Sequence, residues 1–298
     1  MADFTSNFWN WYIIIPVVAG FIFCLFLIIW MSGGTLQGKK AKPTGHVWDE
    51  DLQELNNPLP GWWVNLFYIT IVFGAIYLVL YPGLGSYEGL LGWTSQGRYE
   101  KEVKAADKKF GPIYKAYAQV NLRTLVHDAK AMKTGQRLFT NYCTVCHGSD
   151  AGGGPGFPSL TDSSWLYGGE PEQIKQSIMN GRSGVMPAWE PALGAKGVHE
   201  VGEYVISLSG RKVHISAAEA GEKRFMAMCA ACHGKDGKGK IAIGAPNLTD
   251  NIWLYGGSQK TINESIAKGR GGKMPAHRDF LGADKVHLLA AYIYSLSR

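Results

Sequence analysis

An internal repeat constrains the fold of the second half of this chain most strongly. Sliding the segment after residue 134 against itself, at an offset of 86 to 88 residues, aligns a series of short matches. The matches pair Gly135-x-x-x-Phe139 with Gly221-x-x-x-Phe225, Cys143-x-x-Cys146-His147 with Cys229-x-x-Cys232-His233, Trp165-Leu-Tyr with Trp253-Leu-Tyr, and Met186-Pro-Ala with Met274-Pro-Ala. Each unit has only about 75 to 80 residues, so its core is small and we expect a covalent or metal staple to organise it.

The Cys-x-x-Cys-His motif is the attachment signature of a c-type haem. Its two thiols, on one helical turn, reach the two vinyl groups of the porphyrin, and the next residue presents an imidazole to the iron. A dithiol of the thioredoxin type would need no His, and a structural zinc would require the two clusters to share one ion. We therefore predict two covalently bound c-type haems, held by Cys143, Cys146 and His147 and by Cys229, Cys232 and His233.

A methionine is the expected sixth iron ligand, because a soft thioether favours ferrous iron and raises the potential. Met186 lies 39 residues after His147, and Met274 lies 41 residues after His233. This spacing favours ligation within each repeat, but the similarity of the two units leaves an exchanged pairing open. Two six-coordinate irons leave no position for a substrate, so no catalytic residue is predicted and the chain is expected to carry electrons.

Further haem contacts are predicted at matched positions of the two repeats. The carbonyl of Pro158 or Pro246 is expected to hold the ligand imidazole through its other nitrogen. Donors to the haem propionates are expected among the remaining matched polar groups, with core packing or a surface position as the alternative for each: Trp165, Trp253, Arg182 and Arg270.

Two uncharged apolar runs precede the repeat, at residues 11–31 and 64–84. Each is long enough to cross a hydrocarbon core of about 30 Å as a helix. A cleaved signal peptide is the alternative for the first run, but no basic residue precedes it. Lys39, Lys40 and Lys42 predict a cytoplasmic loop between the spans, so both termini and the repeat are expected in the periplasm, on the bacterial inner membrane.

The predicted fold is mainly α, with two N-terminal transmembrane helices followed by two tandem class I cytochrome c domains. The predicted segments are a first transmembrane helix in 1–35, a cytoplasmic loop in 36–61, a second transmembrane helix and its exit in 62–97, a helical connector broken at Pro112 in 98–134, and cytochrome c domains in 135–212 and 213–298. Apolar residues concentrate at one end and charged residues at the other, which excludes a nucleic-acid reader and an ordinary cytosolic enzyme.

Charge differs between the two repeats. Residues 137–212 carry six basic and seven acidic side chains, whereas residues 219–298 carry twelve and seven. An acidic electron donor is therefore expected to be steered toward the second repeat.

A segment outside the repeat carries a resemblance to a known family. It runs from His46-Val-Trp48 to Asn57-Pro58-Leu-Pro60-Gly-Trp62-Trp63 and leads into the second apolar run, which ends in Tyr81-Pro82-Gly83. With the two Cys-x-x-Cys-His domains, it resembles the dihaem c-type cytochrome subunits (CcoP or FixP, subunit III) of the cbb-type, C-class haem-copper cytochrome c oxidases. Many members have a single anchor helix, so the first run departs from the family pattern.

The resemblance implies a path for electrons in aerobic respiration. A soluble periplasmic donor cytochrome c passes electrons to the two haems, which pass them to a monohaem cytochrome c subunit and then to the catalytic haem-copper subunit, where oxygen is reduced and protons are pumped. The implied partners are those proteins and the lipid bilayer, with no nucleic acid. A membrane-tethered dihaem shuttle for a dehydrogenase or a bc-type complex is the alternative, and the haem domains alone fit it equally well.

Overall fold

The structure, a computed structural model, describes residues 4–32, 41–57 and 59–298. Helices dominate it, which confirms the predicted mainly α class. The elements are α1 (Asn7–Ser32), β1 (Pro43–Trp48), β2 (Leu52–Leu55), α2 (Gly61–Leu80), α3 (Ser95–Ala118), α4 (Leu122–Leu125), α5 (Ala129–Tyr142), α6 (Thr144–His147), α7 (Pro171–Asn180), β3 (Arg182–Met186), α8 (Glu190–Leu208), α9 (Ile215–Met228), α10 (Ala230–His233), α11 (Gln259–Lys268), β4 (Arg270–Met274), α12 (Arg278–Leu281) and α13 (Ala283–Leu296). The chain forms two compact units, Met1–Asp107 and Lys108–Arg298.

Among the residues that the structure describes, two helices are long and apolar enough to cross a membrane, α1 and α2, and both lie in the first unit. They pack against each other where the ring of Phe21 lies 2.9 Å from the position that a Cβ on Gly74 would take. Asn10 Oδ1 also accepts hydrogen bonds from the backbone N–H of Ser86 at 2.7 Å and from its hydroxyl at 3.1 Å. Both apolar runs thus form the predicted helices.

The second apolar run ends as a helix earlier than predicted. Helix α2 stops at Leu80, four residues before Leu84, and Tyr81 has the extended angles φ −117° and ψ 156°. The cause is Pro82, because a proline disfavours helical angles in the residue before it.

The loop between α1 and α2 contains a hairpin that the sequence pattern did not predict. Strand β1 pairs antiparallel with β2, and every residue of both strands is exposed. Of the lysines behind the predicted orientation, Lys39 and Lys40 lie outside the described residues, as does Pro58 of the family segment.

The predicted connector is helical, but its predicted break at Pro112 is wrong. Helix α3 continues through Pro112, which removes only one backbone donor from a helix of 24 residues. The next long helix, α5, begins after Asp128, whose carboxylate accepts hydrogen bonds from the backbone N–H groups of Lys130 and Ala131. Its first residue therefore precedes the predicted domain start at residue 135, and the domain boundaries stay a prediction.

Within the second unit, the two repeats contribute corresponding helices. A helix precedes each Cys motif (α5 and α9), a second, the middle helix, follows the glycine-rich loop (α7 and α11), and a third closes the repeat (α8 and α13).

The closing helices are exchanged between the repeats. Helix α13 of the second repeat packs on α5 and α7 of the first, and α8 of the first repeat packs on α9 and α11 of the second. Two apolar cores result. Core I has the buried residues Leu122, Leu125, Ala131, Leu138, Phe139, Ala151, Leu160, Ile174, Ile178, Leu281, Val286, Leu288, Leu289, Ala290, Ala291, Ile293 and Tyr294. Core II has Leu193, Val198, Val201, Val205, Ile206, Phe225, Cys229, Ile262 and Ile266.

The exchange means that sequence repeats and packed modules do not coincide. Core II comes from one continuous stretch of chain, residues 193–266. Core I is assembled from two stretches, residues 122–178 and 281–294, that flank it. The second unit is thus one helical module inserted into another.

A short antiparallel ribbon joins the modules. Strands β3 and β4 pair with Arg182 opposite Met274 and with Met186 opposite Arg270. The ribbon therefore holds the two Met-Pro-Ala segments in a reciprocal register.

Glycines mark the helix crossings of both modules. A Cβ on Gly135 in α5 would lie 2.6 Å from Cβ of Tyr292 in α13. A Cβ on Gly221 in α9 would lie 2.0 Å from the carbonyl oxygen of Glu200 in α8. Because real Cβ atoms do not approach so closely, each glycine sets how near its two helices pack.

We expect Gly135→Ala and Gly221→Ala each to lower the free energy of unfolding by about 1–3 kcal/mol, since the helices must move apart. Gly111→Ala is the matched control, because Gly111 also lies in a helix but nothing lies within 4 Å of the position that a Cβ would take there. That change should be neutral or slightly stabilising. Denaturant unfolding of the haem-loaded chain measures all three, and equal stability of the Gly135 and Gly111 variants would contradict the close crossing.

Candidate haem sites

The first Cys motif lies on a helical turn directly after α5. Cys143 caps α5, its backbone N–H donates to the carbonyl of Phe139 at 2.8 Å, and the N–H of His147 donates to the carbonyl of Cys143 at 2.9 Å. Cys143 is half-buried, Cys146 is exposed and His147 is buried. The turn thus places one thiol at the core, one at the surface and the imidazole inside.

The second motif repeats this arrangement. The N–H of Cys229 donates to the carbonyl of Phe225 at 2.8 Å, and the N–H of His233 donates to that of Cys229 at 3.0 Å. Cys229 and His233 are buried, and Cys232 is exposed. Burial raises the pKa of the Cys143 and Cys229 thiols to about 11, and the neighbouring Cys in each motif adds to the rise. Before haem attachment both buried sulfurs are therefore neutral thiols at pH 7.

Each motif histidine is oriented by a proline carbonyl. Nδ1 of His147 lies 2.9 Å from the carbonyl oxygen of Pro158, and Nδ1 of His233 lies 3.3 Å from that of Pro246. A carbonyl only accepts, so Nδ1–H is the donor and Nε2 keeps its lone pair. Burial lowers the pKa of both histidines, opposed by these backbone hydrogen bonds. Each imidazole is thereby a neutral base, which is the form that ligates iron.

A tight loop brings the first proline carbonyl to its histidine. The N–H of Gly153 donates to the carbonyl of His147 at 2.8 Å, and Gly153 has φ +74°. A Cβ there would lie 2.4 Å from the carbonyl oxygen of Phe157. Only glycine fits this backbone approach without strain.

The methionines lie in the cores in an exchanged arrangement. Met274 packs against core I together with Cys143, whereas Met186 packs against core II, which contains Cys229. The spacing in the sequence favoured the opposite grouping. The packing differs from that grouping because two helices far apart in the chain, α5 and α13, form one module, and the pairing of methionines with irons stays a prediction.

Backbone hydrogen bonds stabilise the exchanged arrangement of both Met-Pro-Ala segments. The N–H of His277, three residues after Met274, donates to the carbonyl of Ile178 at 3.0 Å. The N–H of Trp189, three residues after Met186, donates to the carbonyl of Ile266 at 3.0 Å. Each Met-Pro-Ala segment therefore runs along the end of the other repeat's middle helix.

The predicted secondary contacts lie near both sites. Trp165 packs against core I and Trp253 against core II. The guanidinium of Arg182 stacks on Tyr167 at 4.6 Å and donates from Nε to the hydroxyl of Ser177 at 2.9 Å. Arg270 makes the same pair of contacts, with Tyr255 at 4.5 Å and with Ser265 at 2.9 Å. Their roles toward haem propionates stay a prediction.

Sequence reasoning missed His277. This buried side chain takes the position that Trp189 has in the other repeat, and its Nδ1 lies 2.8 Å from the carbonyl oxygen of Pro275. It lies near enough to His147 to contribute to the lowered pKa of that imidazole. The signal was available in the repeat alignment, where the residue directly after Met-Pro-Ala is Trp in one unit and His in the other.

The donor sets fit a covalently bound haem better than a zinc ion. Each set offers an exposed thiol, an oriented imidazole, and a second thiol and a thioether that pack in the same core. In the parts of the chain that the structure describes, no group of three or more His, Cys, Asp and Glu side chains is arranged to hold a metal ion. The zinc alternative would need such a group.

Comparisons with known proteins agree over nearly the whole chain. Residues 40–88 match the family model described as the N-terminal domain of cytochrome oxidase-cbb3, FixP. Residues 130–205 and 216–293 each match the model described as cytochrome c oxidase, cbb3-type, subunit III. The two matches coincide with the two repeats and bear out two tandem cytochrome domains.

Several curated relatives are similar along most of their length. The cbb3-type cytochrome c oxidase subunit CcoP of Rubrivivax gelatinosus is 46% identical over 299 residues, covering 100% of this chain and 98% of the relative. Subunit FixP of Bradyrhizobium sp. (strain ORS 278) is 40% identical over 272 residues, with 85% and 93% covered. The alignment to the Rubrivivax protein covers the whole chain and therefore includes the first candidate span.

Proposed function

The chain belongs to the CcoP/FixP family of cbb3-type cytochrome c oxidase subunits, and from that premise we propose that it relays electrons from a periplasmic donor cytochrome c to the rest of the oxidase. As a member of this family it is a c-type haem subunit of an oxidoreductase complex, and its partners are oxidase subunits. The steps of the relay, the number of haems and the identity of each partner belong to the proposal.

One observation carries the proposal: two complete donor sets occur in two separate cores. Each set combines two motif cysteines, a buried histidine with Nδ1 held by a proline carbonyl, and a methionine in the same core. We propose one haem at each set. When bound, each haem supplies a one-electron ferric/ferrous couple.

We propose that the methionines are exchanged between the repeats. Met274, together with His147, would hold the iron of the haem attached through Cys143 and Cys146. Met186 would do so for the haem attached through Cys229 and Cys232. The packing of each methionine against the core of the opposite repeat supports this pairing.

The protein residues then tune and protect the couple. The Pro158 and Pro246 carbonyls fix the ring orientation of the two histidines and make them better donors. The methionine sulfurs favour the reduced state, and the apolar cores exclude water from the iron-facing side of each site. Arg182 and Arg270 are positioned by their tyrosine and serine contacts to meet carboxylates such as propionates.

With a histidine and a methionine in each donor set, the proposed haems would have no free position for oxygen, so oxygen chemistry belongs to the catalytic haem-copper subunit. Helices α1 and α2 contain no Asp, Glu, Lys or Arg, so proton transport also belongs to another subunit. We propose that this chain is the non-catalytic electron-transfer subunit, that it passes electrons through a monohaem subunit, and that its termini and haem modules face the periplasm.

Purification of the tagged chain in mild detergent tests this proposal. We expect b-type haem and cyanide-sensitive oxygen uptake on reduced cytochrome c to accompany the two covalent c haems. A preparation that holds only c haem and consumes no oxygen, from membranes that do oxidise cytochrome c, would favour the tethered shuttle instead.

A further inference from the structure

A basic loop lies beside the exposed cysteine of the second motif. This lysine loop, residues 234–244, carries three exposed lysines, Lys235, Lys238 and Lys240, against one carboxylate, Asp236. In the part of the chain that the structure describes, none of the three ammonium groups is within salt-bridge distance of a carboxylate. The loop therefore presents uncompensated positive charge to solvent.

The loop is fixed against the haem attachment turn. Nζ of Lys240 donates to the carbonyl oxygen of Ala231, which stands between Cys229 and Cys232, at 2.7 Å. The backbone of Lys240 also exchanges hydrogen bonds with Ala245 at 3.0 and 3.2 Å, closing a tight turn. A short, hydrogen-bonded turn of this kind holds its side chains in place before a partner arrives.

Apolar side chains lie in the middle of the same surface. Ile241 is 53% exposed and Ile243 is 50% exposed, and Ala231 and Ala242 beside them are exposed too. An apolar centre with a charged rim is the usual anatomy of a protein interface.

The equivalent loop of the first repeat lacks these features. It runs from Gly148 to Phe157, contains Asp150 and has no Lys or Arg, and it is two residues shorter than the corresponding segment 234–245. The two attachment turns are otherwise alike, so the basic character is specific to the second one.

We propose that the lysine loop is the docking surface for a small acidic one-electron donor protein, next to the haem attached through Cys229 and Cys232. The proposal rests on the proposed relay function and adds where the donor binds and what its surface carries: carboxylates around an apolar centre. The donor gives up one electron, and the bound haem accepts it, so no proton or other reactant is needed. Positive charge steers an acidic partner, and a small interface lets it leave quickly.

The test uses the intact detergent-solubilised complex and an acidic soluble cytochrome c as the probe. We expect the double variant Lys235→Glu and Lys238→Glu to weaken probe binding, and to slow probe oxidation, by about tenfold or more at low ionic strength. The loss should shrink as salt rises, because the Debye length falls to about 10 Å at 0.1 M. A basic cytochrome c should bind the variant no more weakly than the unsubstituted complex.

The matched control is Lys130→Glu with Lys133→Glu, which changes the net charge equally. Both lysines are exposed on α5, about 15–20 Å along the helix from Cys143. We expect this control to change binding less than about twofold. A second variant, Ile241→Ser with Ile243→Ser, should weaken binding in a way that salt does not remove.

Three outcomes overturn the docking proposal: equal losses in the lysine-loop and control variants, unchanged probe binding, or loss of b-type haem from the purified lysine-loop variant, which would make the loop a contact between subunits. Oxygen uptake driven by a small-molecule reductant separates the two proposals. If the unsubstituted complex shows none, the relay proposal fails, whereas probe binding still reports on the loop.

Discussion

Replacing Met274 by Ala should abolish the far-red methionine-to-iron band of the haem at Cys143 and Cys146, whereas replacing Met186 should leave that band unchanged. The clean background is a chain in which Cys229 and Cys232 are replaced by Ala, so that only this haem is attached. Met274 lies in the core that contains the first motif, and Met186 does not.

The loss should also appear in the redox potential. Axial ligands set haem potentials over a range of about 0.8 V, and a methionine raises the potential relative to ligands with harder donors. We expect the Met274 variant to lose on the order of 0.1 V or more of the potential of the first haem. Redox titration of the single-haem chain measures it.

Met179→Ala is the matched control. Met179 also packs against core I, so its truncation removes similar apolar contacts without removing the proposed ligand. The methionine-to-iron band of the Met179→Ala variant should persist, and its free energy of unfolding should be slightly lower. In the reciprocal background that keeps only Cys229 and Cys232, Met186 should be the essential methionine. A first-haem band that disappears with Met186 and survives without Met274 would refute the exchange.

The sequence repeat predicted many helices and candidate ligands of this molecule, because motifs and helical periodicity depend on residues that are close together in the chain. The Cys-x-x-Cys-His motif fixes a helical turn, Met-Pro-Ala marks the expected methionine ligand of the iron, and amphipathic spacing predicts the helix that closes each repeat. The positions of Pro158 and Pro246 relative to their histidines followed from the same alignment. These features depend on residues close together in the chain.

The exchange was beyond that reasoning because the two repeats present interchangeable surfaces. Both opening helices carry Gly-x-x-x-Phe, at Gly135 and at Gly221, and each closing helix offers an aromatic ring there, Tyr292 or Tyr204. Surface complementarity therefore does not choose between the pairings.

The length of the connection between α8 and α9 determines which helices pack together. Only residues 209–214 separate the end of α8 from the start of α9. So short a link favours antiparallel packing of successive helices, and α8 and α9 do pack together. Because α8 packs on α9, the remaining closing helix, α13, packs on α5. The helix bounds and the length of this loop could have predicted the exchange. A residue-by-residue comparison of the repeats takes no account of loop length.

The exchange of closing helices also predicts a large effect of truncating the chain. A chain that ends at residue 269 lacks β4, α12 and α13, and we expect it to unfold the module of the first Cys motif while the module of the second stays folded. The truncation removes Leu281, Val286, Leu288, Leu289, Ile293 and Tyr294 from core I. Each large buried side chain contributes about 2–5 kcal/mol, so the loss of all six together matches or exceeds the usual stability of a domain, about 5–15 kcal/mol.

Limited proteolysis with mass spectrometry of the haem peptides measures this outcome in the detergent-solubilised chain. Peptides around Cys143 should be released early, and those around Cys229 should stay protected. Tandem, unexchanged domains predict the reverse, because the missing segment would then belong to the second domain.

A nick between α8 and α9 provides the control, because it removes no residue. A protease site placed at residues 209–212, in the exposed turn around Gly210, separates the two sequence repeats covalently. The membrane helices are then removed from the first fragment, and the sample is run on a sizing column. If the repeats were independent tandem domains, the two fragments would elute separately. In the exchanged arrangement, α8 stays packed on α9 and α13 on α5, so two helix pairs, both crossing at a glycine, hold the fragments together. We therefore expect the nicked fragments to elute as one species and to separate only in denaturant, whereas the chain that ends at residue 269 loses its first module without any denaturant.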